Sequence, residues 1–448
     1  MDYFFDTHFH AMTLAHPSFI SFIESIEGGL PEFITGGALS PSYIFTPSNR
    51  KGMQMLYTLM NALSAFERPI GEIFAMMEDD LMGRYQQPAE RNRSQANLAY
   101  PEQSYIRDGK FHFRNRTYDK LAMCPLVMDF SQDQKEWDKI YYTCAQPERI
   151  LGYAKDTVDG IDWYYSNRQE GLFEFYPMLG INPAVHDIGF IEDLLQLIRT
   201  DHRRIAPAEA ISPTLERRKR FYGVKIYPPL GTDPWPEDVK ELEKVKLIYQ
   251  FCVDNDVPII SHCDDQGFRG VSAKLAWQYT SPATWKPVFE NFPTIKVDFA
   301  HYGKQYSIVS NKRPLSLISA VASKMPESGW FYEIVDLMKE YPGVYADVSF
   351  SGTTPDFYEH LLHFIEDSEP DVADKLLERT MFGSDFSVNL LKVESYTNYY
   401  RIFELSPFSD QQVVAFSQTN PMRFFGIQDA TPKPKKKWYQ RQKPEQQA

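Results

Sequence analysis

Residues 3–10 (YFFDTHFH) place Asp6, His8 and His10 at every second position, and three more metal-binding side chains close later apolar runs. His262 ends VPIISH, His301 ends IKVDFAH and Asp385 ends TMFGSD. In an extended segment side chains alternate faces, so Asp6, His8 and His10 are expected on one face and Tyr3, Phe5, Thr7 and Phe9 on the other. The second set is mostly apolar, as a face covered by helices should be. A carboxylate with two imidazoles makes a poor core, because every buried polar group needs a partner, and a good seat for a divalent cation. One histidine at a strand end is more often a hydrogen-bonded core or loop residue. Four histidines and an aspartate at matching run ends are better explained by an ion that they share. In residues 221–227 (FYGVKIY) alternation puts Tyr222, Val224 and Ile226 outside and Gly223, Lys225 and Tyr227 inside. Imidazole and carboxylate ligands without cysteine suit Zn²⁺, and also Mn²⁺ or Fe²⁺. Cys263 follows His262 directly and falls on the opposite face.

Such residues meet only if the elements that carry them converge. Short β-like runs lie at 3–10, 121–130, 173–181, 221–227, 257–262, 295–301, 344–350 and 380–385. Helical patterns lie between them, for example at 237–255 and 355–368. Strands alternating with helices imply right-handed parallel βαβ units, and eight of them predict an α/β fold of the (β/α)₈ (TIM) barrel type. A doubly wound open sheet is the alternative. In a barrel the C-terminal strand ends converge on one face, where active sites sit. Tyr227, Arg269, Lys304 and Asn389 follow the inward motifs on four loops of that face and are candidates to orient a substrate, although surface or loop packing is the simpler account of each.

The first two runs are too far apart for a plain βα loop of about 2–6 residues. The spacing predicts a large helical insertion after the first strand, at 11–120, with helices at 53–66 and 69–82, capping one barrel end. Residues 131–170 read as a second insertion-like region. The domain is expected to span 1–430. Beyond it, 431–448 carries Lys433, Lys435, Lys436, Lys437, Arg441 and Lys443 against Glu445, and reads as a solvated, disordered basic tail.

Composition narrows the partners. Of 448 residues, 43% are hydrophobic and 15% aromatic, which excludes a disordered chain. The net charge of −13 argues against nucleic-acid binding, because the phosphate backbone demands a basic surface. No run approaches the roughly 18 apolar residues of a membrane span. The lead MDYFF has no basic n-region and no cleavage site, so no secretory signal is expected. Cys124, Cys144, Cys252 and Cys263 show no close pairing, which fits reduced thiols in the cytoplasm. A small-molecule substrate is the expected partner, and a homo-oligomer is compatible with the sequence. His360 and His363 lie in a helical pattern, and His16, His112, His186 and His202 in loops; none is given a role.

The set DTHFH at 6–10, GVKIYP at 223–228, ISHCD at 260–264, DFAHYG at 298–303 and MFGSDF at 381–386 resembles the amidohydrolase superfamily, and in particular the metal-dependent TIM-barrel hydrolases of the amidohydrolase-2 type. The resemblance covers roughly residues 1–430 without the 11–120 insertion. It implies His8, His10, His262 and Asp385 as metal ligands. In mononuclear members the histidine corresponding to His301 polarises substrate or water. In binuclear members it binds a second ion, and a lysine corresponding to Lys225 is carboxylated to bridge the two. Relatives with known chemistry are mostly mononuclear, yet all six positions are present here, so one or two ions remain open. Asp6 matches the first residue of the motif, and the resemblance gives it the task of orienting a ligand imidazole.

Hydrolysis of an amide, ester or lactone bond is the chemistry expected of such a site. Zn²⁺ lowers the pKa of a bound water from 15.7 to about 7. Asp385 would take the proton as general base and return it as acid, while His301 stabilises the developing oxyanion. The alternative is metal-dependent, non-oxidative decarboxylation of an aromatic or unsaturated acid on the same scaffold. An inactive barrel acting as a binding protein is a third reading, disfavoured by the intact ligand set.

Overall fold

The computed structural model describes residues 1–13, 64–85, 103–131, 149–200, 220–265, 267–305 and 329–427. Its parallel strands follow the predicted runs: β1 (Tyr3–Phe9), β5 (Lys120–Pro125), β6 (Phe173–Phe175), β7 (Met178–Gly180), β8 (Gly223–Ile226), β9 (Ile259–Ser261), β10 (Val297–Phe299), β11 (Val344–Asp347) and β12 (Thr380–Met381). The run at 173–181 is split into β6 and β7 around Pro177, which has no N–H to give to a ladder. Hydrogen-bonded order is β1–β5–β6 in one sheet and β7–β8–β9–β10–β11–β12 in the other. A bridge between Leu126 and Met178 joins the sheets. At the far edge the chain just past β12 returns to β1: Thr7 N–H donates to the Phe382 carbonyl (3.0 Å) and Ser384 N–H to that of His8 (3.0 Å).

Two apolar layers follow from strand alternation. Tyr3, Phe5, Ala122, Cys124, Tyr176, Met178, Ile260, Tyr345 and Met381 form one cluster between the strands, closed by Phe424 and Phe425 from the last helix. Phe4, Leu121, Met123, Phe173, Val224, Ile226, Ile259, Val297 and Val344 belong to the larger cluster between strands and helices. Val224 and Ile226 are therefore on the outer face, as expected. At Gly223 an added Cβ would lie 2.2 Å from Met178 Cε, so Met178 fills the space beside β8.

The first strand departs from simple alternation. Tyr3 and Phe5, expected outside, belong to the inner cluster. Phe4 is outside, with its ring 5.0 Å from that of Phe111. The β1–β5 register shifts between Asp6 and Phe9, and this shift changes which parity faces inward. His8 and His10 consequently share the inner face without Asp6. The Asp6 carboxylate accepts from Tyr396 Oη (2.7 Å), on the helix Tyr396–Glu404 that covers the strand.

The described part of the predicted insertion is only partly helical. The helix Ile70–Leu81 answers to the expected 69–82. Residues 53–63, which hold most of the other expected helix, lie outside the described residues, as do 14–52, 86–100 and the tail from 428 on. An antiparallel meander, β2 (Ile106–Arg107), β3 (Lys110–Phe113) and β4 (Arg116–Tyr118), takes up the rest. Asp108 (φ 52°) and Gly109 (φ 66°) make its first two-residue turn, the conformation for which Asp-Gly is selected. What is described packs on the side of the strands. Phe111, Phe113 and Tyr118 surround Phe4, and Phe74 of the helix lies 4.4 Å from the Phe175 ring.

The region 131–170 also differs from expectation. It contains the long helix Arg149–Asn167, which supplies the crossover between β5 and β6. This helix crosses Ile70–Leu81 at a glycine pair. A Cβ on Gly160 would lie 2.9 Å from Gly71 N, and one on Gly71 would lie 2.6 Å from Trp163 Cε3. Arg168 holds the other end of the crossing through a two-pronged bond to Asp79 (2.8 and 2.7 Å). Gly160→Val is expected to destabilise the protein by about 2 kcal/mol or more through overpacking. A urea midpoint unchanged by the substitution would show that the helices do not meet here.

Candidate metal centre

The centre is assembled where β1 meets the segment after β12. Ser384 and Asp385 both donate backbone N–H groups to the His8 carbonyl (3.0 and 2.7 Å). Gly383 permits this approach, because a Cβ there would lie 2.7 Å from that of His8. Asp385 sits at φ 57°, a conformation that side-chain-bearing residues rarely adopt. The turn aims its carboxylate at both imidazoles: Oδ1 lies 3.6 Å from His8 Nε2 and 3.4 Å from His10 Nε2.

Hydrogen bonds on the far side of each ring set its tautomer. His10 Nδ1 is 3.2 Å from the Leu126 carbonyl, which can only accept. His8 Nδ1 is 2.8 Å from Asp347 Oδ2. Burial alone would raise the Asp347 carboxyl, but His8, His301 and Ser349 hold it well below the usual range, so it too accepts. Both Nδ1 atoms therefore carry the proton and both Nε2 lone pairs face Asp385. Burial pushes His8 down to about 4 and His10 well below its ordinary value, which keeps both rings neutral. His8 Nε2 is buried without a hydrogen-bond partner. Two imidazole nitrogens and the Asp385 carboxyl group converge here, a donor set that fits a divalent cation.

A second group adjoins the first. His262 Nε2 is 3.2 Å from Asp264 Oδ1, and His262 Nδ1 is 3.3 Å from His301 Nε2. His301, at φ 62°, is anchored by its own N–H to Asp347 Oδ1 (3.1 Å), and its Nδ1 lies 3.0 Å from Ser349 Oγ. The rings of His10, His8, His301 and His262 form a chain with centroids 5.3, 4.9 and 5.1 Å apart. His8, His10 and Asp385, and separately His262, Asp264 and His301, offer ligand atoms within 4.8 Å of one another, all buried. Lys225 faces the same interior. Its ammonium is buried with no hydrogen-bond partner, and burial lowers it to about 8 against the pull of Asp347, Asp385, Asp298 and Asp264.

The remaining candidates are placed as follows. Tyr227 stacks on His262 at 4.2 Å, and its hydroxyl accepts from Phe268 N–H (3.1 Å). The Asn389 amide donates to the Ser384 carbonyl (2.9 Å), bracing the Asp385 turn. Lys304 Nζ lies 5.1 Å from the centre of the Phe350 ring, and burial lowers the Arg269 guanidinium. Asp6 does not touch an imidazole side chain; Oδ1 accepts the Ser384 and His8 backbone N–H groups (2.8 and 3.4 Å), so it holds the backbone seam. The carboxylate that touches the His8 ring is Asp347, while Ser349 touches His301 and Asp264 touches His262; none of the three was singled out from the sequence. Cys263 packs in the outer cluster, opposite His262, as expected. His186, given no role from sequence, is buried and 2.7 Å from Asp129, tying two loops.

A family model for amidohydrolases matches residues 199–427, just over half of the chain. The chain belongs to the amidohydrolase-2 family. The match takes in Lys225, His262, His301 and Asp385, while the histidine pair of β1 lies before it. None of the curated proteins matches. Among solved structures the amidohydrolase chain is similar to 5-carboxyvanillate decarboxylase from Sphingomonas paucimobilis, at 10% identity and TM-score 0.45 over 96% of this chain and 100% of that one. It is also similar to 2,6-dihydroxybenzoate decarboxylase from Rhizobium, at 12% and 0.38 over 69% and 84%. A uronate isomerase from Bacillus halodurans gives 10% and 0.39 over 96% and 94%.

Asp347→Asn is expected to weaken Zn²⁺ affinity by a factor of about 10–100, because the His8 ring loses its charged anchor. Asp6→Asn should leave that affinity nearly unchanged while lowering the melting temperature. Equal losses of affinity in competitive chelator titrations would return the orienting role to Asp6.

Proposed function

We propose that this amidohydrolase is a metal-dependent hydrolase of a small molecule carrying an amide, ester or lactone bond, working at the C-terminal end of a (β/α)₈ barrel. The backbone bonds from the segment after β12 to β1 support the barrel reading. The observation that carries the function is the convergence of the His8 and His10 lone pairs on Asp385. These three residues would hold the ion, with Zn²⁺ suiting the donors best and Mn²⁺ or Fe²⁺ also compatible. When bound, it supplies a hydroxide at neutral pH and polarises the scissile carbonyl.

The protein's own groups do the rest. Asp385, beside the water that the ion would hold, is placed to take up its proton and pass it to the leaving group. His301 is held by Ser349 and the Asp347 carboxylate between the His8 and His262 rings, where its ring would steady the developing oxyanion. Tyr227, Arg269 and Lys304 lie on loops of the same face and would orient the substrate. The thiols of Cys124, Cys252 and Cys263 are unpaired and buried, which suits a cytoplasmic enzyme. Among the described residues no helix is long and apolar enough to cross a membrane.

A panel of esters, lactones, amides and aromatic acids tests the reading. On the best substrate Asp385→Asn is expected to lower kcat by a factor of about 10² or more with the fold retained. Near-parent turnover would remove Asp385 from proton transfer. Release of CO₂ from hydroxybenzoates, with no hydrolysis of the other classes, would replace hydrolase with decarboxylase.

A further inference from the structure

The chain turns sharply as it leaves β10. His301, Tyr302 and Gly303 all take left-handed φ angles, 62°, 55° and 65°. Glycine is required at the last of them, because the turn presses on the helix Trp330–Glu340 and an added Cβ would lie 2.9 Å from Trp330 Cβ. The turn throws Lys304 back across the strand ends. There its backbone forms an isolated parallel bridge with Asp264, and its carbonyl accepts Asp265 N–H (3.2 Å). Its side chain reaches over Phe350, which follows β11 with φ 53°, and Nζ lies 5.1 Å from the centre of that ring. The same ring lies 6.4 Å from that of His301. One phenyl group thus neighbours both a histidine of the centre and a half-buried ammonium at its mouth. Lys392, whose N–H donates to the Asn389 carbonyl (2.8 Å), is near enough to repel Lys304, while Asp264 and Asp385 attract it. Burial lowers Lys304 to about 8, so it stays protonated at neutral pH. With Asp385 engaged as a metal ligand, two ammonium groups stand beside a further positive charge, and an anionic group among them offsets the repulsion.

We propose that Lys304 determines specificity: the molecule hydrolysed at this centre carries a carboxylate, which Lys304 binds at the wall it forms with Phe350. The inference rests on the hydrolase reading above and narrows it to esters, lactones or amides with a free carboxylate. A lysine ammonium is a compact point charge on a flexible stem and suits a monoanion. The carboxylates of Asp264 and Asp385 disfavour the denser charge of a phosphate group in the same place.

The test compares two chromogenic esters on the full chain loaded with Zn²⁺. One is p-nitrophenyl hydrogen glutarate, which keeps a free carboxylate, and the other is p-nitrophenyl methyl glutarate, in which that group is masked. The parent is expected to favour the first in kcat/KM by a factor of about 10–100, the range of a charge-assisted hydrogen bond. Lys304→Met is expected to lose the preference, chiefly through a higher KM for the acid, and Lys304→Arg to keep it. The backbone bonds of residue 304 do not involve its side chain, so both variants retain them. Equal kcat/KM for the two esters in the parent, or a preference that survives in Lys304→Met, would overturn the subsite. Glutarate binding, followed by calorimetry, reads the same contact without turnover. Its dissociation constant is expected to rise by a factor of about 10 or more in Lys304→Met. Hydrolysis of neither ester would count against the hydrolase reading, and glutarate then decides the subsite alone. No binding by the parent, or equal binding by parent and Lys304→Met, would overturn it.

Discussion

Asp347 ends β11 with a carboxylate that has no exposure to solvent, and three parts of the centre terminate on it. One oxygen takes the His8 ring proton. The other takes the His301 backbone N–H and the Ser349 backbone and hydroxyl groups. An isolated buried carboxylate would be protonated or expelled. This one stays ionised because its neighbours donate, and its charge in turn dictates which nitrogen of His8 is bare. The direction of a lone pair at the centre is thus decided one bond away from it. The same residue fixes the backbone of His301 in a conformation that few non-glycine residues tolerate.

Electrostatics inside the strands follow a single pattern. Asp385, Asp347, Asp298 and Asp264 come from different strands or strand ends, and Lys225 is the cation they have in common. Asp298 is buried beside Asp347, and burial together with that neighbouring carboxylate pushes it well up. Such an acid-rich, buried interior is unfavourable in the absence of compensating positive charge. Lys225 supplies part of that charge, and a cation bound by His8, His10 and Asp385 would supply more.

Much of this was legible in the sequence because it depends on local chemistry. The strand-end histidines and Asp385 stand out by type, and the spacing of the apolar runs located the strands to within a few residues. What escaped depends on partners remote in sequence. Simple alternation gave Asp6 the wrong face, since the register shift in β1 is set by pairing with β5 more than a hundred residues later. Asp347 sits in YADVSF, where its inward position could have been read from parity, but only its contact with His8 reveals the role. Asp264 follows His262 by two residues and shares its face, a signal of the same kind. The meander at Ile106–Tyr118 had a readable cue in Asp108-Gly109, a dipeptide that favours a two-residue hairpin turn.

The seam between the first strand and the last carries a consequence for how the protein is made. Thr7 and Phe382, which hydrogen-bond across it, are 375 residues apart. During synthesis at about 5–20 residues per second, β1 must wait roughly 20–75 s for its neighbour to leave the ribosome. Throughout that interval Phe4 and Phe5 lack the aromatic partners Phe382, Tyr400 and Phe425 that will bury them. The first strand is then half-paired and apolar until the helices that follow β12 arrive to cover it.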